Sequence, residues 1–285
     1  MIAIHRLRCA AAARVLLFAF ALIALFHSMP RFASGALITL IDDNSSMAID
    51  PDTASNAAHW VVDGVDHLAR QAFWYRIGNA AEQSVHSLAI GSQIASDTNF
   101  DPDLDTLFVR YLGAGFHIDV HYSLDGGLPG SRASDMAEQI SISNTGASPL
   151  DFHFFQYNDF DLNDSNSGDS AVFTNENAVR QFEGAVSLSE TVVTPAASHR
   201  EIASYPLTLG KLTDAAPTTL SDTPPIGTVA GPGDLTWAFQ WDFLLQPGRT
   251  YQISKDKHLS GVPEPTAAVV LGIGLGLLTA VRRRR

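Results

Sequence analysis

Cysteine is almost missing from this chain: Cys9 is the only one in 285 residues. A lone thiol excludes an intrachain disulfide, and no cysteine follows residue 9. A domain made from the remainder must be held by its own core, and about 220 residues are enough to bury one. Basic residues are scarce through the middle. Between residues 37 and 263 there are 10 Lys and Arg against 29 Asp and Glu, a net of about −19, while the whole chain carries −12. Nucleic acid and anionic lipid are poor partners for such a surface, whereas cations, neutral glycans and basic proteins suit it. The acids are mostly Asp, a residue of turns and oxygen-ligand sites more than of helix faces.

Linear catalytic signatures are absent as well. Gly168-Asp169-Ser170-Ala171-Val172 fails the nucleophile-elbow pattern at its last position, and there is no zincin motif and no phosphate loop. Paired carboxylates could build a glycosidase on a β-sandwich. With 30 acids in the chain, however, some pair always looks plausible. On motifs alone the expectation is a non-catalytic protein, with a secreted carbohydrate-active enzyme using Asp or Glu, a glycoside hydrolase or lyase, as the alternative.

What is present begins at the two ends. Residues 1–36 have the pattern of a secretory signal peptide: Arg6, Arg8 and Arg14 precede or enter an apolar run over residues 15–26, and no acid occurs before Asp42. Ala33, Ser34, Gly35 and Ala36 offer small residues for cleavage after Gly35 or Ala36. A retained signal anchor is the alternative. Cys9 precedes the apolar run, whereas a lipoprotein cysteine follows it, so lipidation is not expected.

At the other end stand Pro263, Glu264 and Pro265, an apolar run over residues 266–281, and then Arg282, Arg283, Arg284 and Arg285. As a helix the run would reach ~24 Å, a little short of a ~30 Å hydrocarbon core, which makes it a minimal transmembrane anchor. The arginines would keep the C-terminus cytoplasmic. The prolines exclude helix around Glu264 and leave an extended, protease-accessible segment there.

These three ordered parts resemble a PEP-CTERM sorting signal. The resemblance covers about the last 23 residues. It implies export in a Gram-negative bacterium, processing by an exosortase, a tail initially in the inner membrane, and a place in the cell envelope, at the cell surface or in the extracellular matrix. It also implies association with exopolysaccharide, as in a biofilm matrix. Residues 60–78, 152–162 and 233–243 further resemble uncharacterised exported proteins carrying the same signal, which implies a shared fold and no activity.

The stretch between the ends reads as β almost throughout. Residues 106–111 and 115–124 make the clearest hairpin. In its second arm Phe116, Ile118, Val120 and Tyr122 alternate with His117, Asp119, His121 and Ser123, the period-2 pattern of a half-buried strand. Residues 150–157 carry aromatics on both faces and should form a central strand covered on both sides. Residues 68–77 read as a strand, with a helix over residues 68–72 as the alternative. Prolines at 217, 224, 225 and 232 mark one long loop. About ten short strands separated by turns, without an amphipathic helix, predict an all-β fold: a two-sheet β-sandwich, of which a jelly roll is one form. The organisation is a signal peptide at 1–36, one β-sandwich ectodomain at 37–258 and a sorting tail at 259–285.

Four features of the ectodomain could carry chemistry. Asp159, Asp161, Asn163, Asp164 and Asp169 put oxygens at close intervals in one loop and could wrap calcium. The sixth position is Asp164 rather than Gly and the twelfth is Ser170 rather than Glu, so the loop is not an EF-hand, and a plain acidic turn is the alternative. Asp97, Asp101, Asp103 and Asp105 repeat that argument more weakly. His117, Asp119 and His121 share one strand face, but a His-to-His reach of ~13 Å is too long for one small ion, and a polar solvent face is the simpler reading. Trp60, Trp74, Trp237 and Trp241 could offer sugar platforms, although core packing suits them better.

Overall fold

Side chains of a strand alternate between faces, so a chain of short alternating segments closes its core by pressing two sheets together. The computed structural model, which describes residues 37–53 and 56–261, does this. In chain order the strands are β1 (Ile38–Asp42), β2 (Ser45–Asp50), β3 (Asn56–Val62), β4 (Val65–Asp66), β5 (Arg70–Ile77), β6 (Gln83–Ser84), β7 (Ala89–Ser96), β8 (Thr106–Gly113) and β9 (Phe116–Gly126). They continue with β10 (Ala133–Asn144), β11 (Leu150–Asp159), β12 (Asp169–Asn175), β13 (Ala178–Glu183), β14 (Val186–Thr194) and β15 (His199–Ser204). A short helix, α1 (Leu207–Thr213), precedes β16 (Ala230–Gly233), β17 (Leu235–Leu245) and β18 (Thr250–Ser260).

The first sheet has the order β1-β2-β3-β5-β11-β17-β15, with β4 on β3 and β6 on β5; the second has the order β16-β12-β13-β14-β18-β10-β9-β8-β7. The all-β sandwich expectation is met. With nine described strands in each sheet, the sandwich is larger than an eight-stranded jelly roll. The signal peptide, the PEP-CTERM motif and the expected transmembrane helix fall on residues 1–36 and 262–285, outside the described residues. No helix among the described residues is long and apolar enough to cross a membrane.

The hairpin of β8 and β9 shows how the pattern becomes packing. Ile118, Val120 and Tyr122 are buried in the interior, while His117, Asp119 and His121 lie on the other face. β11 sits between β5 and β17 in the first sheet and is covered on both sides. Phe152 and Phe154 join the main core. Phe155 and Tyr157 pack with Trp74, Ala238, Leu212 and Leu220 in a second cluster on the outer face. Leu212 belongs to α1 and Leu220 to the chain just after it, so the proline-marked loop, with its helix, roofs this sheet. Seven residues are too few to display an amphipathic period, which is why α1 does not stand out in the sequence. β5 is extended from Arg70 onward and takes no helix. β7, an edge strand in which only Ile90 is buried, lacks the apolar alternation that would announce it.

All four tryptophans are buried. Trp237 stacks on Phe160 with ring centres 5.9 Å apart, and its indole N–H donates to Gln181 Oε1 at 2.9 Å. Core packing is therefore their role, and none offers an exposed sugar platform. Less expected is a charged cluster between the sheets. Lys255 and Lys257, two of the chain's three lysines, point inward from β18 and meet Glu138 of β10 and Glu190 of β14 with no exposure of any of the four side chains. Gln156 of β11 reaches across from the first sheet, accepting from Lys255 Nζ at 2.5 Å and donating to Glu190 Oε2 at 3.0 Å.

Candidate functional site

Antiparallel neighbours bring the start of one strand beside the end of the next. In the first sheet this gathers the start of β5, the end of β11, the start of β17 and the end of β15 at one end of the sandwich. Asp159, the last residue of β11, is paired with Arg70 on one side and Thr236 on the other. Asp161 lies two residues beyond it, Asp234 immediately before β17 and Tyr205 immediately after β15. Backbone bonds fix the arrangement: Tyr205 N donates to Asp234 O at 3.0 Å, and Ala69 N donates to Asp159 O at 3.1 Å.

Ala69, Arg70, Asp159, Asp161, Tyr205 and Asp234, with Asn166, line a hollow of about 250 Å³. Within it, one carboxylate oxygen from each of Asp159, Asp161 and Asp234 lies within 4.8 Å of the others. Burial, followed by the charges of Asp161 and Asp234, pushes the Asp159 carboxyl up to about 7. Burial also raises Asp161, with Asp234, Asp66 and Asp164 adding to the effect, and it raises Asp234. Two chemical capacities follow. Three hard oxygens this close fit a cation such as calcium. A carboxyl that keeps its proton near neutral pH, beside two other carboxyls, can also serve in acid–base chemistry.

A second hollow of about 220 Å³ adjoins the first, sharing Ala69 and Asp161, and is also lined by His59, Asp66, Leu68 and Asp164. His59 Nδ1 lies 2.6 Å from Asp66 Oδ2. The carboxylate accepts a hydrogen bond from Nδ1–H and orients the ring.

The five residues of the acidic loop therefore part company. Asp159 and Asp161 converge with Asp234, which lies far along the sequence. Asp164 faces the neighbouring hollow. The Asn163 amide donates to the Glu183 carboxylate at 3.2 Å, and its backbone N–H donates to His67 Nδ1 at 3.2 Å. His67 is itself buried and pushed down to about 4. Asn163 and Asp164 both have left-handed backbone, with φ of 61° and 58°, which turns the loop before alternate oxygens can wrap one centre. Asp169 starts β12 opposite Gly233, is closed off from solvent, and is pushed up to about 7 by burial, with Glu183 and Asp161 adding.

The other two candidates resolve into local structure. In the loop of residues 97–105, Asp105 accepts from Thr98 N and Oγ1, Asp97 accepts from Phe100 N, and Asp101 accepts from Asp103 N, so these acids stitch their own turn. Asp119 is held by both arms of Arg110, at 2.7 and 2.6 Å, on the polar face of β9. Sequence reasoning missed Arg70, Tyr205 and Asp234. Their one shared signal is position at a strand end, which matters only once strand neighbours are known.

No family model matches the chain, and no curated protein matches it. Solved structures do. A bacterial glucoamylase complexed with acarbose aligns with a TM-score of 0.55 at 10% identity, covering 85% of this chain and 35% of the glucoamylase. This chain thus spans about a third of that enzyme's length. A putative aldose 1-epimerase from Escherichia coli K12 aligns at 0.50 and 9% identity, over 80% of this chain and 99% of that one. A GalM/aldose epimerase homologue from C. elegans aligns at 0.51 and 9% identity, with the same coverage. The likeness is one of fold. It overturns the expectation of a non-catalytic protein, because the solved structures that share this fold include a glucoamylase and a putative aldose 1-epimerase. The missing linear motifs carried that expectation, and a site assembled from four strand ends has no linear motif to find.

Proposed function

We propose that this protein is an exported carbohydrate-active enzyme whose acid and base are drawn from Asp159, Asp161 and Asp234. The observation that carries the reading is the hollow at the strand ends, where one carboxyl holds its proton to about pH 7 within 4.8 Å of two others. At an anomeric carbon, protonated Asp159 gives its proton to the departing acetal oxygen as that C–O bond breaks. An ionised neighbour attacks the anomeric carbon as that bond breaks, forming a glycosyl ester that a hydroxyl or water, deprotonated by Asp159, then displaces. On a free aldose it instead takes the O1–H proton as the ring C–O bond breaks and the open-chain aldehyde forms. Arg70 and Asn166 line the same hollow and supply donors for sugar hydroxyls. Carboxylates this close leave little room for a water between them, in keeping with an anomer-changing or retaining reaction more than an inverting one, which needs ~6.5–9.5 Å.

The two ends of the chain extend the proposal. A signal peptide at residues 1–36 and a PEP-CTERM tail processed by an exosortase would deliver the domain to the cell envelope or beyond, where exopolysaccharide is the abundant carbohydrate. The test is to incubate the purified protein with free aldoses and with exopolysaccharide while following anomer exchange by NMR and reducing ends with polymer size. Turnover of either kind that disappears in Asp159→Asn supports the reading. Full turnover in that variant, or none in the wild type on any sugar, rejects it.

A further inference from the structure

The two hollows lie side by side. They share Ala69 and Asp161 in their walls, and each alone falls below the ~300 Å³ at which small-molecule sites begin, whereas together they exceed it. The second hollow has its own hydrogen-bonding group. His59 is oriented by Asp66, which accepts from Nδ1 at 2.6 Å and from Leu68 N at 3.2 Å. The imidazole is well exposed, and the backbone beneath it is left-handed at φ 55° although His59 is not a glycine. His59 N donates to Leu68 O at 2.8 Å, so this unusual backbone is tied to the strand end that also supplies Ala69 to both hollows.

We infer that the two hollows act as one cleft and bind a chain of at least two linked neutral sugars, one unit in the Asp159–Asp234 hollow and the next against His59, with Asp161 at the junction. The inference rests on the carbohydrate reading above and narrows its substrate class from a free monosaccharide to an oligosaccharide or polysaccharide. Charge selects the neutral class. Arg70 is the one Lys or Arg lining either hollow, against five aspartates, so a uronate or sulfated chain meets repulsion along the cleft. Hydroxyls, by contrast, donate to the carboxylates and accept from Arg70 and Asn166.

The test measures dissociation constants for the monomer and tetramer fractions of partially hydrolysed dextran, cellulose, mannan and the producing organism's own exopolysaccharide. The bound tetramer should outbind its monomer about tenfold or more, the size of one added hydrogen bond to a charged or oriented group. His59→Asn, a residue that tolerates the left-handed backbone, should bring that ratio close to one by weakening the tetramer. Asp66→Asn, which loses only the orienting carboxylate, should shrink it part of the way. Equal affinities for monomer and tetramer, or a ratio untouched by both variants, would overturn the two-unit cleft while leaving the carbohydrate reading intact. Absence of binding by every fraction would overturn both.

Discussion

Glu138 and Lys255 stand directly opposite one another on β10 and β18, and neither side chain is exposed to water. Burial opposes the ionisation of Glu138, yet Lys255 and Lys257 together hold it well below the usual carboxylate range, while burial lowers Lys255. Removing one member of such a group strands a charge in the interior. Glu138→Gln is expected to cost about 3–5 kcal/mol in urea unfolding. The joint change Glu138→Leu with Lys255→Met removes one charge of each sign and should cost less than Glu138→Gln alone. A joint cost equal to or above the single cost would show that the pair contributes net attraction.

Stability should fall as pH rises toward neutrality. Asp159 and Asp169 have native pKa values of about 7, raised from 3.8, so between these limits these two carboxyls hold more protons folded than unfolded. Together they outweigh buried His67, which is pushed down to about 4 and acts in the opposite sense. Their neutral forms are favoured by folding, so that contribution is present at low pH and is lost as pH climbs through about 7. The thermal midpoint is expected to drop between pH 5 and pH 7.5 at constant ionic strength, and to drop less in Asp159→Asn. Excess calcium should restore part of the loss at pH 7.5 and do little at pH 5, where protons already neutralise the carboxyls. A wild-type profile that rises with pH would contradict the assignment.

Asp234→Asn separates stability from activity. Its charge is one of the causes that raise Asp159, so removing it lowers the Asp159 pKa. Turnover that depends on protonated Asp159 should then lose its alkaline limb at a lower pH. Relief of repulsion should meanwhile raise the midpoint at pH 7.5 by about 2–4 °C for each ~1 kcal/mol regained. An unshifted alkaline limb would remove Asp234 from the electrostatics of the site.

The address has its own test. Replacing Glu264 or deleting Arg282 to Arg285 should strand full-length protein in the membrane fraction of an exosortase-bearing host. Processing that continues unchanged would remove the basis for PEP-CTERM sorting.

The fold was legible wherever one face of a strand is wet, as in β9, where His117, Asp119 and His121 mark the outside and Ile118 and Val120 the inside. It was legible in β11 for the opposite reason, because aromatics on both faces require two covers. β7 and α1 were not legible, the one too exposed and the other too short to carry a period. Half of the acidic hollow could be read from Asp159 and Asp161, adjacent in one loop. The other half, Asp234, Arg70 and Tyr205, depended on which strand ends become neighbours, and strand order is set by long-range pairing that local patterns do not encode.

The double coverage of β11 has a price in definition. A strand with one dry face resists slipping, because a shift by one residue turns its apolar side chains into water. β11 has a weaker safeguard over residues 154–157: slide it by one, and Phe155 exchanges with Phe154 at little hydrophobic penalty. Gln156 breaks the tie, since only in the observed register does its amide meet Lys255 and Glu190 across the interior. The polar centre of the sandwich thereby acts as a ruler for the strand that crosses it, and three residues farther on that ruler fixes where Asp159 emerges among its partners.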